Sequence, residues 1–174
     1  MDAHQAGPVV CIAGVVQGAR DGTETADQSY RARIAAAILD RFPAATIFCP
    51  VTELHGSFAN SADALATEFR ALRAQPVLRE REMPALVLAV RERFSELVRE
   101  AGSAGVMIAY LPTELSMGTA MEMWAAHSNA RPVITITGMN QNLAIVSAST
   151  VIVPTLEEFE ALVTSGALDA YLRT

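Results

Sequence analysis

The sequence predicts a doubly wound α/β fold, with helices on both faces of one parallel sheet. Three observations point to it. Short, β-branched apolar runs alternate with stretches of helical periodicity. About five such runs fit within 174 residues. No internal repeat or low-complexity tail interrupts the alternation. Strands that alternate with helices imply right-handed crossovers and a mostly parallel sheet. The length suits a single domain over residues 1–174.

Residues 8–16 (PVVCIAGVV) form a nearly continuous apolar run, the pattern of a strand buried on both faces. A polar loop follows, with glycines at 18 and 22. Residues 27–42 read as a helix, because Tyr30, Ile34, Ile38 and Phe42 recur at four-residue spacing and Pro43 closes the segment. Residues 45–50 (ATIFCP) give a second strand, with His55 in the loop beyond it. Asn60 and Ser61 can cap a helix reaching Ala74, and Pro76 and Pro84 bracket a charged connection. A helix over 85–100 and a strand over 105–111 (GVMIAYL) come next. A helix over 118–128, strands over 132–137 and 150–153, and helices over 156–163 and 168–172 complete the order.

Five strands in this arrangement fit a flavodoxin-like sheet of order 2-1-3-4-5. Its topological switch point lies between the first and third strands, where ligands bind at the carboxyl ends. Chemistry is therefore expected in residues 14–27 and 110–122.

Composition removes several alternatives. All 13 basic residues are arginine. Schiff-base, pyridoxal-phosphate and Walker-type lysine chemistry, and protein-kinase activity, all need a lysine that this sequence lacks. An anion would be held by arginine, hydroxyls, backbone N–H groups or a helix N-terminus. A net charge of −6 and a pI near 5.0 argue against a nucleic-acid partner. No apolar run approaches the roughly 18 residues of a membrane span, and residues 1–8 do not resemble a signal peptide. A cytoplasmic location is expected, with Cys11 and Cys49 as free thiols in apolar surroundings. The 51% hydrophobic content and mean hydropathy of +0.27 suggest a subunit interface, in a homodimer or higher homo-oligomer. Three scattered histidines and two cysteines give no metal-ligand spacing, and no cofactor is implied.

The most informative stretch is AYLPTELSMGTAMEMWAA, residues 109–126. A buried strand ends near Leu111, a short loop carries Pro112, Glu114 and Ser116, and a helix starts near Gly118 with Glu122 close to its beginning. The positive end of a helix favours an ionised carboxylate. Ser116, Gly118 and Thr119 leave backbone N–H groups open to a ligand oxygen. A carboxylate beside such a loop suits attack on an electron-poor carbon such as an anomeric centre. Alternatively, Glu122 simply caps its helix. Its switch-point position and the apolar flank of Met121, Met123 and Trp124 favour the chemical reading over the cap.

The segment Ser116-Met117-Gly118-Thr119-Ala120-Met121-Glu122 resembles the nucleoside 2-deoxyribosyltransferase superfamily, which includes the nucleoside 5′-monophosphate N-hydrolases. The resemblance implies that Glu122 is the nucleophile at C1′ of the sugar, and that Ser116, where free-nucleoside enzymes have aspartate, is a phosphate ligand. It extends to the first loop, where Gly14 and Gly18 would let the backbone approach the substrate and Gln17 would read a base edge. In the same loop Arg20 would meet the phosphate, and Tyr30 would stack or hydrogen-bond at the pocket edge. Where the hydrolases place serine and arginine after the first glycine, this chain has Val15 and Gln17, so Arg20 would substitute. The family's assisting aspartate on the helix before the third strand is absent; Glu96 is the nearest carboxylate. Asn142, in a turn after the fourth strand, would reach a neighbouring subunit's site or simply cap a short helix.

The expected function is hydrolysis of the N-glycosidic bond of a nucleoside 5′-monophosphate or nucleoside. Three alternatives are base exchange by a deoxyribosyltransferase, a phosphoribohydrolase of the cytokinin-activating type, and a non-catalytic nucleotide-binding domain. The second shares the Gly118-Thr119-x-x-Glu122 spacing.

Overall fold

The computed structural model of the chain describes residues 7–18 and 25–173. Five strands, β1 (Val9–Gly14), β2 (Thr46–Phe48), β3 (Val106–Tyr110), β4 (Val133–Ile136) and β5 (Val151–Val153), form one sheet in the order β2-β1-β3-β4-β5. Every neighbouring pair is parallel, with Gly14 beside Tyr110 and Tyr110 beside Ile136 at the carboxyl edge. This is the flavodoxin-like architecture expected from the alternation of strands and helices. The helices are α1 (Ser29–Arg41), α2 (Pro50–Phe58), α3 (Ala62–Arg73), α4 (Ala85–Ser103), α5 (Met117–Ser128), α6 (Leu143–Ala148), α7 (Leu156–Ser165) and α8 (Asp169–Leu172). Among the described residues no helix is long and apolar enough to cross a membrane.

Side chains alternate across the sheet, so each strand feeds two cores. Val10 and Ile12 of β1, with Val106 and Ile108 of β3, pack with α1 and α7, whose Ile34, Ile38 and Phe159 are buried. The four-residue spacing that predicts α1 thus has its cause: Tyr30, Ile34 and Ile38 face the sheet. Cys11 and Ala13, with Met107 and Ala109, face the other way, toward Ala101 of α4 and Met123 and Ala126 of α5. Small residues bring α4 and α5 close; a Cβ on Gly102 would lie 2.7 Å from the Ala125 side chain.

One element departs from expectation. Residues 50–58 form α2 rather than a loop, so His55 is helical. Val51, Thr52, Gly56 and Ser57 are poor helix formers, which hides the segment. Pro50 at the start supplies a fixed helical φ and needs no hydrogen-bond acceptor.

Candidate functional site

Between the carboxyl ends of β1 and β3 the surface opens into a cleft of about 480 Å³. Its floor and one side come from β1 and the turn after it, residues 12–14 and 16–18. The start of α5 forms the facing wall, α2 contributes Pro50, Val51, Leu54 and His55, and α4 contributes Phe94. The cleft therefore occupies the switch point, where strand order leaves the crossovers diverging.

Several predicted residues meet there: Gly14, Gln17, Gly18, Ser116, Gly118 and Glu122 all line the cleft. Ser116 is the N-cap of α5, and its Oγ accepts from the Thr119 N–H at 3.4 Å. As the first helical residues, Met117 and Gly118 have no helix carbonyl to bond with their own N–H groups. The Thr119 hydroxyl is buried with no partner among the described residues. Gly18 sits at φ 57, a left-handed turn that suits glycine.

Glu122 is buried and makes no hydrogen bond or ion pair among the described residues. Burial pushes its carboxyl up to about 7, and the Arg31 guanidinium pulls the other way. The expectation that the helix start favours the ionised carboxylate is thus corrected. Glu122 stands in the second turn of α5, past the open N–H groups, where the helix field has faded and desolvation dominates. Its apolar surroundings also differ from the expected set. Met123 is buried, but Met121 and Trp124 point outward and are 46% and 60% exposed. Trp124 instead lies against His127, with ring centroids 5.4 Å apart.

Other predicted residues lie elsewhere. Tyr30 does not line this cleft. Its ring stacks on Tyr110 at 4.4 Å beneath β1, in the α1 core. Gly14 makes room for it, since a Cβ there would run into the Tyr30 hydroxyl and the Tyr110 carbonyl. That glycine serves packing as well as the cleft. Tyr30 borders a second, smaller hollow with Asp27, Ser29 and Glu114. Glu96 is on a flank of α4 away from the cleft, paired with Arg93 at 3.1 Å, where solvent screens the pair. Asn142 caps α6, its Oδ1 accepting from Ala144 and Ile145 at 3.1 and 3.3 Å, and it does not line the cleft. Arg20 lies outside the described residues.

Sequence reading missed Arg31 and the apolar wall formed by Val51, Leu54 and Phe94. The wall was hidden with α2. Arg31 stands on the flank of the apolar stripe of α1, and its one sequence signal is that position beside Tyr30 and Ile34. Cys49, expected inside a strand, instead precedes α2 and is half-buried; Cys11 is buried.

The cleft can thus offer a neutral or ionised carboxyl near pH 7, hydroxyl and N–H donors at a helix start, and apolar walls. Such a site accommodates a ligand with a flat apolar part and an oxygen-rich part. Among the described residues no group of three or more His, Cys, Asp or Glu is arranged to hold a metal. No protein-family model and no curated protein sequence matches this chain.

Proposed function

We propose that this protein is an N-glycosidase acting on a nucleoside 5′-monophosphate or nucleoside, within the nucleoside 2-deoxyribosyltransferase superfamily. The observation that carries the reading is Glu122, a buried carboxyl with no partner among the described residues, one turn above an open helix start. Cells rarely bury an unpaired carboxylate without use for it, because desolvation costs stability. In the proposed reaction the ionised Glu122 oxygen bonds to C1′ as the C–N bond breaks. The base departs with the bonding pair and takes a proton. Water then attacks C1′, breaking its bond to the Glu122 oxygen and giving up a proton that balances the one taken by the base, so the sugar is released and the carboxylate restored. Ser116 and the N–H groups of Met117 and Gly118 hold the 5′ end, and Val51, Leu54 and Phe94 form an apolar wall for the base.

We also propose a homodimer. Met117, Met121 and Trp124 on α5 and Leu143 and Val146 on the adjacent α6 are exposed apolar side chains on neighbouring elements. Such a face beside the cleft suits a second copy, and Trp124→Glu should shift the mass measured by light scattering to that of a monomer. The free thiols fit a reducing, cytoplasmic compartment.

The test is incubation with ribo- and deoxyribonucleotides and nucleosides, with and without an acceptor base, followed by chromatography. Free base without acceptor supports hydrolysis. Base exchange alone would assign a transferase. Binding by calorimetry without base release would reduce the protein to a nucleotide-binding domain. Glu122→Ala that releases base at the wild-type rate would sink the assignment.

A further inference from the structure

Arg31 is held by an unusual set of anchors for a side chain that lines an open cleft. Its Nη1 donates to the Ile12 carbonyl at 2.6 Å and approaches the Cys49 sulfur at 3.3 Å. Nη2 donates to the Gly14 carbonyl at 3.4 Å, and Nε donates to Gln28 Oε1 at 2.8 Å. Gln28 is itself fixed, its amide donating to the Val15 carbonyl at 2.9 Å. The guanidinium carbon lies 5.0 Å from the Tyr30 ring centroid. Of the five N–H donors of a guanidinium, these contacts occupy most. The cation is therefore locked to the end of β1 and cannot swing out to follow a ligand.

Among the described residues no carboxylate cancels its charge. Arg33, Arg41 and Arg93 each pair with a carboxylate. Among the described residues Arg31 pairs with none, and Glu122 is within neither ion-pair nor hydrogen-bond distance of it.

We propose that Arg31 is the positioning residue of this site: a guanidinium fixed to the carbonyls at the end of β1, lining the same cleft as Glu122 and acting on that buried carboxyl without pairing with it. The role of Glu122 in base release is the reading given above, on which the enzymatic part of this proposal rests. The design has a clear logic. A carboxylate paired with arginine has its lone pairs occupied, whereas one left alone in an apolar pocket stays protonated. A cation tethered in the same cleft eases ionisation of the carboxyl and leaves its oxygens unoccupied.

Among the described residues the groups near Glu122 are few: Arg31 and Tyr30 come from α1, Cys11 from β1, and His55 lines the same cleft from α2. Phe94 is what α4 contributes. Burial raises both Cys11 and Tyr30, so neither is an anion near neutrality. Arg31 carries the permanent charge of the set.

The test is a carbon-13 NMR titration of labelled glutamate side chains, with the Glu122 signal identified by its loss in Glu122→Gln. Arg31→Gln keeps amide donors for the β1 carbonyls but removes the charge. It is expected to raise the Glu122 midpoint by about one pH unit, and Arg31→Lys to restore most of that shift. In the base-release assay, kcat of Arg31→Gln at pH 7 should fall about fivefold, recover by pH 9, and leave KM nearly unchanged. Arg31→Met, which keeps the stem over Tyr30, is the second variant. An unmoved midpoint in either folded variant overturns the proposal. Unfolding of both does so as well, because it makes Arg31 a support of the fold and not of the site. A midpoint that moves with Arg31 in a protein releasing no base would leave the electrostatic assignment standing and remove the N-glycosidase reading.

Discussion

The two faces of the sheet are built from different materials. The face under α1 and α7 is filled with Ile, Val and Phe, with Phe159, Ile34, Ile38 and Ile134 fully enclosed. The face under α4 and α5 is lined mostly with Ala, Cys and Met, including Ala13, Ala101, Ala109 and Ala126, with Val15, Leu111, Val133 and Ile145 among them. The same strands supply both, through alternate residues. The bulky face fills its space and gives stability in proportion to the area it buries. The small-residue face brings two helices close and leaves the cleft at its upper end. It also accepts a buried carboxyl that opposes folding. One face holds the molecule together, and the other bears the cost of the candidate site.

The largest expected effect comes from the residue that most sharply separates them. On the proposed N-glycosidase reading, Glu122→Gln should reduce base release by roughly a thousandfold or more, since a neutral amide cannot attack C1′. It should also stabilise the protein at high pH. The carboxyl is raised from its ordinary range to about 7 in the folded chain. Its protonated form is thus compatible with the fold, and stability falls as pH rises between the unfolded and folded values. At pH 8 the amide should gain on the order of 2 kcal/mol over wild type, and at pH 4 almost nothing. Thermal melts at the two pH values check this. Equal gains at both would mean that desolvation is not what raises Glu122.

On the other face, Phe159→Ala should cost about 3–5 kcal/mol in urea unfolding. Folded molecules should retain base release, because the ring is enclosed far from the cleft. Loss of activity beyond the loss of folded protein would show that the two faces are coupled.

Gly102→Ala sharpens the comparison from the small-residue side. Its Cβ would lie 2.7 Å from the Ala125 side chain and 2.9 Å from that residue's backbone, so α4 and α5 must part. Overpacking of this kind costs about 1–3 kcal/mol. The displacement moves Phe94 relative to Gly118, so KM should rise along with the stability loss. A stability loss with unchanged KM would mean that the cleft wall does not follow the helix axis.

The contrast also explains how much was legible in the sequence. The bulky face writes itself as periodicity, and α1, α7 and all five strands follow from it. So did the switch point, because strand order fixes where crossovers diverge. Glu122 and Ser116 stood out because a helix start beside a buried strand has a recognisable composition. The other wall left little trace. α2 carries Val51, Thr52, Gly56 and Ser57, all poor helix formers, and it packs against β1 and α4. Arg31 could not be told from Arg33 by type; the difference is that one reaches the β1 carbonyls and the other reaches Glu157 and Glu160. The ionisation of Glu122 was misread because helix position is visible in a sequence and desolvation is not.

The smallest expected effect tests the residue whose assignment moved furthest between faces. Tyr30 would contact substrate if the family resemblance extended to it, yet its ring lies in the bulky core, stacked on Tyr110. Its hydroxyl is buried with no partner among the described residues, and it fills the space left by Gly14. A buried hydroxyl without a partner forfeits its hydration and gains nothing in return. Tyr30→Phe keeps the stacking and deletes only that oxygen. It should therefore leave kcat and KM within twofold and stabilise the protein by up to about 1 kcal/mol. The opposite result would be informative. A tenfold rise in KM with unchanged stability would mean that the hydroxyl faces the ligand once it is bound. The boundary between the packed face and the candidate site would then run through β1 at Gly14 and not above it.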